Sequence, residues 1–232
     1  MKMNSLSAEA RAKRLNAVVD PGRIISLRAY NLILTAAVLY GVAINAILCR
    51  ESIVRFVFDR INPITFFIIY FVMVIAGVII AHRSENPLVS FLGYNMIVVP
   101  VGLVVAEAVV LGGYSPSVVW HAFITTAGVT VIMVAAGALF PQFFEKLGSI
   151  LFFGLIGVLF GFLISIFLPG VNRAVTILCA GLFSLYIGYD VYRSQQFPHT
   201  VDNAIDSAID IYLDVINLFL NLLRIFGNAK DS

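Results

Sequence analysis

The chain has 232 residues, 60% of them hydrophobic and only 12% charged, with a net charge of +2. A soluble domain carries about a quarter charged residues, so these numbers exclude an ordinary water-soluble enzyme and give no general case for a nucleic-acid binder. Each spanning helix takes roughly 20 apolar residues, so about seven spans account for nearly the whole chain and leave no room for a separate catalytic domain.

The first 28 residues hold Lys2, Arg11, Lys13, Arg14, Arg23 and Arg28. Such an arm could bind nucleic acid or acidic lipid. The simpler reading is a basic cytoplasmic arm, residues 1–30, that obeys the positive-inside rule. It has no apolar core of the kind a cleaved signal peptide needs.

Apolar runs and the polar or Gly/Pro breaks between them predict seven spans, at about 31–49, 61–81, 88–111, 118–140, 149–168, 174–192 and 203–226. A charged loop with Arg50, Glu51, Arg55, Asp59 and Arg60 separates the first two. Gly154, Gly157 and Gly161 recur at helical spacing in the fifth span, where small residues allow close packing. The expected architecture is all-α and polytopic. With the N-terminus inside, inner segments hold nine Lys and Arg against six outside, so that orientation is favoured. Cys49 and Cys179 lie in apolar stretches far apart and read as small buried hydrophobes.

The seventh span carries Asp206, Asp210 and Asp214, then Asn217, Asn221 and Arg224. At about 100° per residue these six fall within an arc of roughly 80°. Three lipid-facing aspartates would cost roughly 8–10 kcal/mol on the insertion scale, more than the apolar residues of the other faces offset. The last span is therefore expected inside the bundle. Asp206 and Asp210 can be read as favouring a helix N-terminus, but Asp214 lies too deep for that.

Asp190 is the second deep acid, near the inner end of the sixth span in SLYIGYDVY. A short loop makes the last two spans antiparallel neighbours. Two carboxyls meeting there could share one proton or be neutralised by a cation. Oxygen-only ligands suit Ca²⁺ or H⁺ over zinc or copper. Arg83 closes the second span on the same face and is either a partner of these acids or a topology anchor. Glu107 and His121 flank the loop between the third and fourth spans and could pair near the outer surface.

SLYIGYD, a short polar loop and IDIYLDVINLFLNLLRIFG resemble the signature of the Bax inhibitor-1 family. Weaker similarity runs upstream through NAVVDPGRIISLRAYN, VSFLGYN and FEKLGSILFFGLIG. The resemblance implies seven helices with the last surrounded by the other six. It implies a pH-sensitive Ca²⁺ leak, or Ca²⁺/H⁺ exchange, with a di-aspartyl sensor at Asp190 and Asp214 and a basic latch for which Arg83 is the nearest match. Asp206 and Asp210 make the last span more acidic than the family pattern and, with Glu107 and His121, are candidate accessory residues. No cofactor is implied; the partners are the lipid bilayer, Ca²⁺ and H⁺, with no nucleic acid, in a bacterial plasma membrane.

Other classes fit less well. An intramembrane aspartyl protease would use Tyr189–Asp190, but Asp214 follows Tyr212 and Leu213 where GxGD is needed, and no Pro-Ala-Leu follows. A serine rhomboid needs a GxSG nucleophile that is absent, and a retinal pump needs a lysine in the last span, where none occurs. A regulatory membrane protein that conducts nothing is the main alternative to a leak.

Overall fold

The computed structural model describes residues 20–228. Lys2, Arg11, Lys13 and Arg14, on which the basic arm rests, lie outside those residues, as does Lys230. Among the described residues the chain is helical and strand-free. Its helices are α1 (Leu27–Leu48), α2 (Glu51–Phe58), α3 (Pro63–Arg83), α4 (Pro87–Val110), α5 (Pro116–Leu139), α6 (Pro141–Glu145), α7 (Gly148–Phe167), α8 (Asn172–Ser194) and α9 (Val201–Asn228). Short 3₁₀ turns occupy Pro21–Arg23 and Pro169–Val171.

The helix starts follow local chemistry. Ser26 caps α1 by accepting from the Ala29 amide, and Asn62 caps α3 by accepting from Thr65. Proline stands in the first turn of α3, α4 and α5, where its missing N–H leaves no bond unmade. The Ser26 cap sets the start of α1 at Leu27, four residues before the expected span. The charged stretch after α1 is not a loop. It forms the helix α2, because Val54 turns to the protein and is fully buried while Glu51 and Arg55 pair at i,i+4 on the outer side. The break before α7 likewise holds the one-turn helix α6, anchored by buried Phe144.

Six helices, α1, α3, α4, α5, α7 and α8, are long and apolar enough to cross a membrane. The seventh expected span, α9, has 28 residues, about 42 Å of helix. It does not join those six on apolarity, because Asp202, Asp206, Asp210, Asp214 and Arg224 all lie on it. Its place in the bundle explains how it is tolerated: from Val201 to Leu223 not one residue is exposed. It packs chiefly on α8, α1, α5 and α4 and only touches α3. α7 instead leans on α8, so the last helix is enclosed without being ringed evenly by all six others.

Close approaches hold the outer helices. A Cβ on Gly77 of α3 would lie 2.6 Å from the Gly93 carbonyl oxygen of α4, and one on Gly93 2.7 Å from that of Gly77. Of the α7 glycines, Gly154 faces Leu182 and Gly161 faces Val175, both on α8, whereas Gly157 faces open space.

Candidate functional site

The long helices alternate in direction, which gathers the start of α1, the end of α3, the end of α8 and the start of α9 at one end of the bundle. Hydrogen bonds tie these pieces together. The Ile25 amide donates to the His199 carbonyl at 2.9 Å, and the Tyr30 hydroxyl donates to the Ser194 carbonyl at 2.9 Å. Tyr30 also lies 3.1 Å from the Ser207 hydroxyl and stacks at a tilt on His199. Arg23 bridges Glu85 at 2.8 Å and Asp202 at 3.3 Å, and also donates to the Glu85 carbonyl. The hydrogen bond with Glu85 raises the Arg23 pKa further above its ordinary value, so this strap keeps its charge.

Beneath the strap lies the acid pair. Asp190 occupies the last turns of α8 and is 8% exposed; Asp214 lies thirteen residues into α9, roughly 20 Å along it, and is 7% exposed. α8 and α9 form the most extensive helix pairing of the molecule, and they bring the two carboxyl groups within side-chain hydrogen-bonding reach of each other. Arg193 donates from Nη1 to Asp190 Oδ1 at 3.0 Å, with its guanidinium 5.6 Å from the Tyr189 ring centroid. The second Asp214 oxygen, Oδ2, is buried without a hydrogen-bond partner. Asp210 is half-buried one turn before Asp214 and close enough to act electrostatically on Asp190, Asp214 and Arg193. Asp206 is fully buried a further turn back.

The remaining candidates lie elsewhere. Arg83 ends α3 exposed, and forms no ion pair with Asp190 or Asp214. The cation on the acid pair is Arg193, which sequence reasoning used only as a boundary charge. Its signal was the i,i+3 spacing in Asp190–Val191–Tyr192–Arg193. Glu107 and His121 form no ion pair among the described residues: α4 and α5 are not packing neighbours, and His121 is exposed, its Nδ1 2.5 Å from its own helix's Ser117 carbonyl. Cys179 is buried as expected, while Cys49 is only half-buried. Between Asp210 and Asp214 on α9, the Tyr212 hydroxyl donates to Asn45 Oδ1 of α1 at 3.0 Å, and the Tyr94 hydroxyl of α4 donates to the Ala37 carbonyl of α1 at 2.8 Å.

Chemically, one carboxyl can hydrogen-bond another only with a proton between them, because an ionised carboxylate offers acceptors alone. Among the described residues no three or more Asp, Glu, His or Cys side chains group as a cage for a metal ion. Two carboxyls and one guanidinium are therefore suited to holding a proton or briefly meeting a cation.

Comparison with known proteins gives the same outline. A family model described as "Inhibitor of apoptosis-promoting Bax1" matches residues 23–231. An uncharacterized protein of Helicobacter pylori strain J99 is 33% identical over 132 residues, 56% of this chain and 54% of that protein. An uncharacterized protein of Deinococcus radiodurans is 30% identical over 131 residues, covering 52% of this chain and 56% of the relative. The inner membrane protein YbhL of Escherichia coli K12 is 30% identical over 128 residues, 50% of this chain and 55% of YbhL. The chain thus spans about half the length of the curated relatives it matches. With its apolar helices, its enclosed acidic helix and a family match over nearly its full length, this chain is an integral membrane protein that belongs to the Bax1-I family.

Proposed function

We propose that this protein is a pH-sensitive cation leak, with Ca²⁺ as its principal cargo, gated where α8 meets α9. One observation carries the reading: two buried carboxyl groups from different helices lie within hydrogen-bonding reach, with a single buried-side cation, Arg193, against one of them. Two carboxylates offer up to four oxygens, whereas Ca²⁺ takes six to eight at rest. Water and backbone carbonyls would supply the remainder, which favours brief binding over capture.

The pH response follows from charge balance. With one shared proton the pair carries one negative charge, matched by Arg193, and the helices stay together. A second proton at acid pH leaves the Arg193 guanidinium with only the half-buried Asp210 as a nearby counter-charge, a weaker compensation in a partly dry site that favours rearrangement. Acid therefore increases flux. Arg193 takes the part that the sequence suggested for Arg83. We place the protein in a bacterial plasma membrane with its N-terminus and the acid pair on the cytoplasmic side, in line with the charge count and with the printed name of YbhL. It performs no catalysis in this reading.

The test is Ca²⁺ flux into liposomes holding the purified protein, read at two pH values. Wild type should leak more at acid pH. Asp190→Asn and Asp214→Asn should each change the flux and flatten its pH dependence. If purified wild type conducts nothing, the non-conducting regulatory reading replaces this one; if both variants match wild type at every pH, the pair is structural only.

A further inference from the structure

The polar stripe of α9 continues past Asp214 toward the opposite end of the bundle, and there its surroundings change. Because α7 leans on α8 instead of α9, a cleft of about 160 Å³ remains between α7 and the second half of α9, with α8 at its back. Leu155, Leu159 and Phe162 of α7 line one wall; Asn217, Asn221 and Arg224 line the other. These α7 residues fall within an arc of roughly 40–80° on the helix, turned away from the Gly154 and Gly161 face that seats on α8. Leu159 is 56% exposed, so the cleft opens sideways to the surface that faces lipid.

The wall contributed by α9 is built for a polar head with hydroxyls. Asn217 and Asn221 each donate from Nδ2 to the carbonyl one turn back, Leu213 at 2.8 Å and Asn217 at 2.7 Å. That turns Asn221 away from further donation and leaves its Oδ1 buried without a partner, although the residue is only 5% exposed. An unpartnered buried acceptor is unfavourable until a donor reaches it. Arg224, a turn further along, is exposed and forms no ion pair among the described residues. Among the described residues no acid lines the cleft. Its charge is therefore positive, at the end nearest the bilayer surface, with the apolar wall reaching toward the bilayer middle. A cavity of about 150 Å³ holds a six-carbon ring, so this one takes a short length of one acyl chain.

We propose that this cleft binds an anionic phospholipid whose headgroup carries hydroxyls, phosphatidylglycerol being the simplest. The phosphate pairs with Arg224, the headgroup folds back beneath it so that a hydroxyl donates to Asn221 Oδ1 one turn deeper, and one acyl chain lies along Leu155, Leu159 and Phe162. Basic pockets between membrane helices bind anionic headgroups by the same electrostatics, and the buried acceptor adds a preference that charge alone cannot give.

The full chain in detergent, titrated with dioleoylphosphatidylglycerol, dioleoylphosphatidate or dioleoylphosphatidylcholine and read by native mass spectrometry, tests this directly. Phosphatidylglycerol should be retained at least tenfold better than phosphatidylcholine and several-fold better than phosphatidate, which lacks the glycerol hydroxyls. Arg224→Gln and Leu159→Trp should each remove most of that tenfold advantage, and Asn221→Leu should erase the margin over phosphatidate. Arg173→Gln, an exposed charge at the same end of the bundle, should change nothing. Should Arg224→Gln fail to fold, Leu159→Trp at its lipid-facing position still decides the matter. Equal retention of all three lipids, an equal loss with Arg173→Gln, or an assembly mass that halves with Leu159→Trp, marking a second copy as the occupant, would each overturn the proposal. None of these readouts involves flux, so the result is independent of the gating reading.

Discussion

At the residue scale, Arg193 and Arg83 separate a cation that belongs to the acid pair from one that does not. Arg193 pairs with Asp190 with its own side chain 24% exposed and that of Asp190 9% exposed. Removing it leaves a mostly buried carboxylate beside Asp214, so Arg193→Gln should destabilise the protein by about 1–3 kcal/mol, less than the loss of a fully buried pair. Its Ca²⁺ flux should also lose most of its pH dependence. Arg83→Ala should keep the wild-type pH profile in the same liposome assay, since Arg83 is exposed and touches neither acid. An Arg83→Ala protein that leaks at alkaline pH would return the latch to α3. Asp190 and Asp214 were legible in the sequence because deep charge is expensive in lipid and therefore conspicuous. Arg193 was not, because a basic residue at a helix end has a ready explanation as a topology anchor. Only the side-chain direction, three residues after Asp190 on one helix face, sets it on the carboxylate.

At the element scale, α9 was the most readable helix, since a polar stripe within roughly 80° can only face protein or water. Two contacts along it can be tried. Tyr212→Phe leaves Asn45 Oδ1 without the donor that reaches it at 3.0 Å, at a cost of about 1–3 kcal/mol. A lower midpoint in a thermal melt of the detergent-solubilised protein should show it, without a change in oligomer size. The α3–α4 seam tolerates less. Gly93→Leu puts a side chain where even a Cβ would lie 2.7 Å from the Gly77 carbonyl oxygen, and overpacking of this sort costs about 1–3 kcal/mol or more. A protein purified in normal yield with an unchanged melt would show that the two helices can simply part. The short helix α2 escaped sequence reading for a physical reason: its eight residues carry Glu51 and Arg55 and mimic a loop by composition. Only tertiary burial of Val54 fixes one face.

At the scale of the whole molecule, the long helices and their order were readable from apolar runs, while their neighbours were not. Nothing in α7 says that it leans on α8 and leaves a cleft beside α9; that follows from where Gly154 and Gly161 find side chains to seat against. The strap over the acid pair was equally hidden. Arg23 looks like one more charge of a basic arm, yet it joins the start of α9 to the turn after α3. Arg23→Gln should speed amide exchange across residues 195–203, where the Ile25–His199 and Tyr30–Ser194 hydrogen bonds also fasten the turn. Unchanged exchange there would mean those two bonds suffice.

The composition of α9 also has a bearing on how the protein is made. The helix is synthesised after the four helices it packs on, and it is the one that lipid alone would reject: each aspartate at its centre weighs roughly 2.5–3.5 kcal/mol against release into the bilayer. Its hosts, α1, α4, α5 and α8, all leave the ribosome earlier. The membrane therefore receives a ring of helices with a vacant centre before it receives the segment that fills it. A chain stopped before Val201 should enter the membrane and yet be cleared by quality-control proteases, while α9 made as a separate peptide should insert only in cells that also make the truncated ring.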